Sequence, residues 1–141
     1  GGRAETDVPS ILKGDGVVQS DFTRENLPLQ HLAEIIASKD HSRSWSQRLI
    51  NTENNSATLI SQLPGEGNRL HYHDDWNEWW YIVKGVWEWE IEGKAMNVKQ
   101  GDIVFIEKNK WHKITAVGTE PAIRLAVSKD NVAHIYKHDP Q

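Results

Sequence analysis

The chain has 141 residues, of which 38% are hydrophobic and 26% are charged, and its formal net charge is -4 at pH 7. This size suits one domain with its own core, and neither composition nor charge indicates disorder, nucleic acid or an anionic membrane as a partner. Because the chain contains no cysteine, disulfides, thiolate-held metals and thiol catalysis are excluded.

The first 44 residues predict an arm that carries one helix. Its beginning, residues 1–21, is rich in Gly, Asp and Ser and shows little periodicity. A helix is expected at about 29–38, where apolar residues recur at helical spacing, and Asn26 or Pro28 is expected to begin it. The residues of its apolar face are Leu29, Leu32, Ile35 and Ile36. This helix could cover one end of the domain or pack on its outside.

From residue 45 to residue 130 the pattern changes to short strand-like runs separated by Gly, Asn, Asp or Pro. The expected strands are 45–51, 57–63, 70–73, 78–84, 86–92, 95–99, 103–106, 111–115 and 122–128. Many short strands at regular spacing predict an all-β domain, either a sandwich or a small barrel. Residues 131–141 are expected to form a C-terminal tail.

Two histidines and a glutamate within eight positions are the most informative feature of the chain. His71 and His73 point to the same face if they lie on a strand. Glu78 opens the next expected strand, and His112 follows 34 positions later in another strand-like segment. A barrel interior can gather side chains from three strands around one point. Since imidazole and carboxylate bind divalent transition metals, the four residues predict a metal site.

These residues carry a resemblance to the cupin superfamily. Its first motif, G-x5-H-x-H-x3-4-E-x6-G, is matched at every fixed position, by Gly65, His71, His73, Glu78 and Gly85. Its second motif, G-x5-P-x-G-x2-H-x3-N, is matched at Gly101 and His112. The residues that replace its Pro, Gly and Asn are Glu107, Asn109 and Ala116. Asparagine is acceptable in a turn that needs a left-handed residue.

The resemblance covers about residues 57–127 and implies a small antiparallel β-barrel of the cupin or jelly-roll type. It also implies homodimerisation through the outer strands and one divalent metal. The implied ligands are His71, His73, Glu78 and His112. Fe(II) is expected first, with Mn, Ni, Co or Zn as alternatives. Four protein ligands leave two positions of an octahedron for substrate, O2 or water, which favours catalysis.

Three functions remain open for such a site. A non-haem Fe(II) oxygenase that acts on a small anionic or chelating substrate is slightly favoured. The first alternative is a lyase, isomerase or epimerase that uses the metal as a Lewis acid. The second is a cupin that binds a sugar or a cation without turnover. No apolar run approaches the roughly 20 residues that span a bilayer, so we expect a cytoplasmic protein with a small-molecule substrate and without membrane or nucleic-acid partners.

Further residues are candidates for substrate binding or proton transfer. Arg69 lies two positions before the first ligand histidine and is expected on the same face, where it could bind an anion. Arg124, on the last expected strand, could do the same. Trp80 shares the strand face of Glu78 and is expected to line the pocket, and Trp76 is expected at its rim. The weaker candidates for acid or base are Tyr72, Tyr81, Lys110 and Lys113.

Five of the seven tryptophans lie between residues 76 and 89. In the expected strand 86–92, Trp87 and Trp89 alternate with glutamates, so indoles and acids lie on opposite faces. The acidic face is interpreted as solvent-exposed. Together with Trp79, these two tryptophans are expected on the outer surface of the sheet, where they would bury a dimer interface, and a place in the pocket is the alternative.

Overall fold

A computed structural model describes residues 4–5, 18–20, 25–72, 77–129 and 134–136. The strands in these ranges are β1 (Ala4–Glu5), β2 (Val18–Ser20), β3 (Trp45–Asn51), β4 (Ser56–Gln62), β5 (His71–Tyr72), β6 (Glu78–Lys84), β7 (Val86–Ile91), β8 (Lys94–Lys99), β9 (Ile103–Ile106), β10 (His112–Val117), β11 (Ala122–Ser128) and β12 (His134–Tyr136). Helix α1 spans Leu32–Ala37. No helix within these ranges is both long and apolar enough to cross a membrane.

The strands form two six-stranded sheets. Sheet I has the order β1-β12-β5-β10-β7-β8, and sheet II has the order β2-β3-β4-β11-β6-β9. Paired strands are antiparallel except for β2 and β3. This architecture confirms the predicted antiparallel all-β fold with a short helix near the N-terminus. Three of the paired strands come from the segments expected to be an arm and a tail: β1 and β2 from the arm, and β12 from the tail.

The main core lies between the sheets and consists of inward side chains from both. Its buried members are Trp80, Ile82, Trp87, Trp89, Val98, Val104, Ile106, Ile114, Ala116 and Ala122. The alternation predicted for β7 is confirmed, because Trp87 and Trp89 are buried while Glu88 is exposed. Their expected place at an outer dimer interface is wrong. The strand period separates two faces, but it does not say which of them is covered.

Helix α1 packs on the outside of sheet II rather than over an end of the barrel. Its Leu32, Ile35 and Ile36 contact a second buried cluster, formed by Trp45, Leu49, Leu59 and Ile123. This contact explains why every residue of β4 is buried, since both faces of the strand are covered. The helix begins later than expected: Leu29 is 68% exposed, and Asn26 donates its side-chain amide to the carbonyl oxygen of Asn51 instead of capping the helix.

The loop between β4 and β5 lies along β10 and places the strand of His71. Asn68 accepts a hydrogen bond from the backbone N–H of Ile114 at 2.8 Å and donates its own N–H to the carbonyl oxygen of that residue. Gly67 has no room for a side chain here, because a Cβ atom would lie 1.9 Å from the Ile114 oxygen. The loop therefore fixes β5 against β10, where His71 and His112 are paired.

The turn before β10 uses the left-handed residue expected from the second motif. Asn109 has a φ of 68°, so asparagine takes the conformation that glycine has in the motif. Gly85 and Gly101, which match fixed motif positions, also have positive φ. The prediction that Asn109 is tolerated in this turn is confirmed.

Candidate metal centre

His71 and His112 lie side by side on β5 and β10, the two central strands of sheet I. They are direct neighbours in the pairing of β5 with β10, and their ring centroids are 4.3 Å apart. Both side chains are buried, at 1% and 0% exposure. Two imidazoles this close and this well shielded from water can bind the same ion.

Both rings are oriented by the same type of hydrogen bond to the backbone. Nδ1 of His71 lies 2.5 Å from the carbonyl oxygen of Arg69, and Nδ1 of His112 lies 2.8 Å from that of Lys110. Because a carbonyl oxygen only accepts, Nδ1 must carry the proton in both rings. The lone pair of each imidazole is then on Nε2, as in histidines whose second nitrogen binds a metal.

Glu78 approaches the interior from sheet II. It is the first residue of β6 and is only 6% exposed. Its Oε1 accepts a hydrogen bond of 2.5 Å from Nε1 of Trp80, the next inward residue on the strand. The Trp80 ring lies 6.0 Å from that of His112, and the Trp89 ring lies 5.5 Å from it. The buried indole of Trp80 therefore lies next to both the Glu78 carboxylate and the His112 imidazole.

Two of the predicted site residues, His73 and Trp76, lie outside the described residues. Within the described ranges, no three His, Asp or Glu side chains are grouped closely enough to hold a metal ion. The four-ligand set therefore stays a prediction. The features that fit it are the paired rings of His71 and His112, the tautomer that their backbone contacts impose and the buried carboxylate of Glu78.

Arg124 points into the barrel and is 1% exposed. Its guanidinium carbon lies 4.6 Å from the Trp87 ring centroid and 5.2 Å from that of Trp80, and Nη1 donates to Oε1 of Gln62 at 2.6 Å. Burial lowers the pKa of Arg124 to about 9, and the charge of Glu78 acts in the opposite direction. The guanidinium therefore stays protonated at neutral pH, as an interior cation beside the carboxylate.

Arg69 is placed differently from the sequence expectation. Its side chain is exposed, whereas His71 is buried. The reason is local: β5 begins only at His71, so strand alternation does not extend back to Arg69. Arg69 does not share the buried face of His71, so its role in substrate binding stays a prediction.

The side chains of the four weaker candidates for acid or base are exposed or only partly buried, unlike those of His71 and His112. Tyr72 packs edge-on against Trp111 at 4.6 Å, and Tyr81 is 37% exposed, as the alternation of their strands predicts. Lys110 is exposed in the turn before β10, and Lys113 is paired in register with Glu90 on the outer face of sheet I. Their catalytic roles stay predictions.

Gln62 is an interior polar residue that the sequence interpretation missed. It is fully buried and bonds both to Arg124 and to the carbonyl oxygen of Gly67. Little signal for it was available, because three of the other six residues of β4 are also polar: Ser56, Thr58 and Ser61. The local sequence pattern cannot show that Gln62 bonds to Arg124, because the two residues lie 62 positions apart in the chain.

The cupin domain family matches residues 58–128 of the chain. The chain therefore belongs to the cupins, and the resemblance seen in its two motifs is confirmed. Cupins typically bind a metal, which agrees with the donor set of the centre.

Two curated relatives are named for oxalate. The chain is 26% identical over 81 residues to the oxalate decarboxylase of Bacillus subtilis, a match that covers 54% of this chain and 21% of that one. It is 32% identical over 76 residues to an oxalate-binding protein of Thermotoga maritima, covering 52% and 63% of the two chains. The matches therefore span less than two thirds of either relative.

A solved structure supports the architecture over most of the chain. An uncharacterized conserved protein with a double-stranded β-helix domain from Klebsiella pneumoniae superposes with a TM-score of 0.65 at 19% identity. The superposition covers 79% of this chain and 99% of that one. At this identity the likeness shows the fold alone.

Proposed function

We propose that this cupin binds one divalent transition metal through His71, His73, Glu78 and His112. The observation that carries the proposal is the buried pair of His71 and His112, whose backbone contacts put the proton of each ring on Nδ1 and the lone pair on Nε2. When bound, the metal would supply a Lewis acid and open coordination positions for a substrate. Fe(II) and Mn(II) are the first ions to test, followed by Ni(II), Co(II) and Zn(II).

We further propose that the substrate is a small dicarboxylate of the oxalate type and that the reaction is a lyase reaction. The names of the two curated relatives support this class. In the decarboxylation of the oxalate monoanion, the carbon–carbon bond breaks, one carbon leaves as CO2, and the other takes up a proton to give formate. The oxygenase that the sequence slightly favoured is thus placed second.

The side chains of the barrel would support such chemistry in two ways. Trp80 and Trp89 are 1% and 4% exposed and lie against His112, so they exclude water from one side of the centre. Arg124 adds an interior positive charge, which makes the barrel more favourable for an anionic ligand. Both contributions come from described residues of the two sheets.

The test is metal loading followed by turnover measurements with labelled oxalate. Protein stripped by a chelator is reconstituted anaerobically with each metal, its metal content is measured by elemental analysis, and formate and CO2 are followed by 13C NMR. Stoichiometric metal with formate production supports the lyase. Stoichiometric metal, oxalate binding by calorimetry and no product would instead indicate a binding protein.

The oxygenase is retained as a second candidate because buried indoles enclose His112, and a dry site protects reactive oxygen species from water. It is distinguished by an oxygen electrode. Consumption of O2 in proportion to substrate turnover with Fe(II), and none with redox-inert Zn(II), would assign the oxygenase and contradict the lyase. If the chain takes up no metal at all, the metal site itself is refuted.

A further inference from the structure

Trp80 joins the two sheets at the metal centre. It follows Glu78 by two positions on β6, so both side chains point inward, and its Nε1–H donates to Oε1 of that carboxylate at 2.5 Å. From the opposite sheet, the rings of Trp89 and His112 lie 5.0 and 6.0 Å away. One buried indole therefore contacts a predicted ligand from each sheet.

The packing around Trp80 fixes its orientation. The guanidinium of Arg124 lies 5.2 Å from the ring centroid, and Trp89 meets the ring at an interplanar angle of 75°. The side chain is 1% exposed, so a change of rotamer would require its neighbours to move as well. The position of the indole N–H is consequently set by the core and not by the carboxylate that it contacts.

We propose that Trp80 is a positioning residue for Glu78, which holds Oε1 so that Oε2 is the oxygen that binds the metal. This inference rests on the proposed metal site. A carboxylate can rotate about its terminal bond, and a donor fixed by packing selects one orientation before the ion arrives. Partners that orient metal ligands in this way typically account for about 10- to 100-fold in metal affinity. The role differs from the pocket wall expected from the sequence.

The chain contains a matched control for this proposal. Trp87 is also buried, at 0% exposure, and also lies beside Arg124, at 4.6 Å. Its Nε1 has no hydrogen-bond partner among the residues that the structure describes. Trp80→Phe and Trp87→Phe therefore remove the same atoms from the same core, and only the first removes a hydrogen bond to Glu78.

The test is calorimetric titration of the full chain and both variants with Co(II). We expect about 10- to 100-fold weaker binding for Trp80→Phe and a change of less than about threefold for Trp87→Phe, with both metal-free variants folded as judged by far-UV circular dichroism. Unchanged affinity in Trp80→Phe, or equal losses in both variants, would overturn the inference. Absence of Co(II) binding in the unsubstituted chain would instead refute the proposed metal site.

A second measurement does not depend on the folding of Trp80→Phe. The indole N–H signals of the unsubstituted chain and of Glu78→Gln are compared by 1H–15N NMR, with assignments made from contacts to neighbouring core protons. We expect the Trp80 proton to move upfield in Glu78→Gln, because a charge-assisted hydrogen bond becomes a neutral one, while the Trp87 proton stays in place. A Trp80 proton that does not move would contradict the proposal.

Discussion

His71 and His112 are oriented in the same way although they lie 41 positions apart in the chain. In both, Nδ1 contacts the carbonyl oxygen of the residue two positions earlier, at the point where a strand begins. This local contact orients each ring without any help from the other. Pairing of the two strands then brings the rings together, so the donor pair depends on both local and long-range structure.

His112→Ala should abolish most metal binding. The substitution removes one donor and leaves the fold intact, because β10 keeps its backbone pairing with β7. We expect at least a tenfold loss of bound metal by elemental analysis and a loss of any activity, with an unchanged far-UV circular dichroism spectrum. His31→Ala is the control, since that side chain is exposed at the start of α1. Full metal occupancy in His112→Ala would remove this residue from the site.

Arg124→Lys should destabilise the protein despite the retained charge. A lysine loses the planar stacking on Trp80 and Trp87, and its ammonium is more strongly hydrated and harder to bury. We expect a decrease of about 1–3 kcal/mol in the free energy of unfolding, measured by urea denaturation. Arg69→Lys, at an exposed position, should change it by less than about 0.5 kcal/mol. Equal losses of unfolding free energy in the two variants would contradict the claim that the buried position of Arg124 makes it sensitive to substitution.

Among the elements, the loop that precedes β5 determines where His71 lies. Gly67 is required for space, because a Cβ atom would meet the Ile114 oxygen at 1.9 Å. Gly118 is different: its φ is +93°, but no heavy atom lies within 4 Å of a Cβ atom built there. The two glycines thus separate the effect of steric overlap from that of backbone strain.

Gly67→Ala should weaken both stability and metal binding, whereas Gly118→Ala should affect stability alone. We expect a loss of about 3 kcal/mol for the first, from overpacking, and about 1–2 kcal/mol for the second, from left-handed strain. Urea denaturation and Co(II) titration measure the two effects. If Gly67→Ala binds metal as well as Gly118→Ala does, the loop does not position His71.

The strands could be predicted closely where alternation was strong, and less well elsewhere. The bounds of β3, β6, β9 and β11 agree with the sequence expectation. These strands could be bounded because turn residues flank the strand-like runs. Helix α1 starts later because Asn26 bonds to Asn51, a contact across 25 positions that no local pattern contains. The enclosure of Arg124 by Gln62 and two indoles depends on three distant strands and was equally unpredictable.

At the scale of the whole molecule, sheet II presents an apolar outer surface next to its edge. Trp79 faces Phe105 across β6 and β9, and Tyr81 faces Ile103. These four side chains are between 37% and 69% exposed. In the described part of sheet II, β9 is the last strand, and exposed edges of this kind favour association. The resemblance to cupins implies a homodimer through outer strands, and this surface is where we expect it.

Phe105→Lys combined with Ile103→Lys should shift the chain from dimer to monomer, because charges would be buried against a second copy. Light scattering after size exclusion measures the molar mass, and we expect the dissociation constant to rise at least tenfold. Met96→Lys, at an exposed apolar residue of sheet I, is the control. A dimer that persists in the double variant would place the interface elsewhere, and a monomeric unsubstituted chain would refute the homodimer.

The indoles packed against His112 also give the protein an internal optical reporter. Trp80 and Trp89 lie 6.0 and 5.5 Å from that ring, a range at which a bound paramagnetic ion such as Co(II) quenches ultraviolet emission efficiently. Loading and chelation would therefore change the intrinsic fluorescence in opposite directions. A small molecule that displaces or rearranges the ion would register in the same signal, so ligands can be screened on the unlabelled protein.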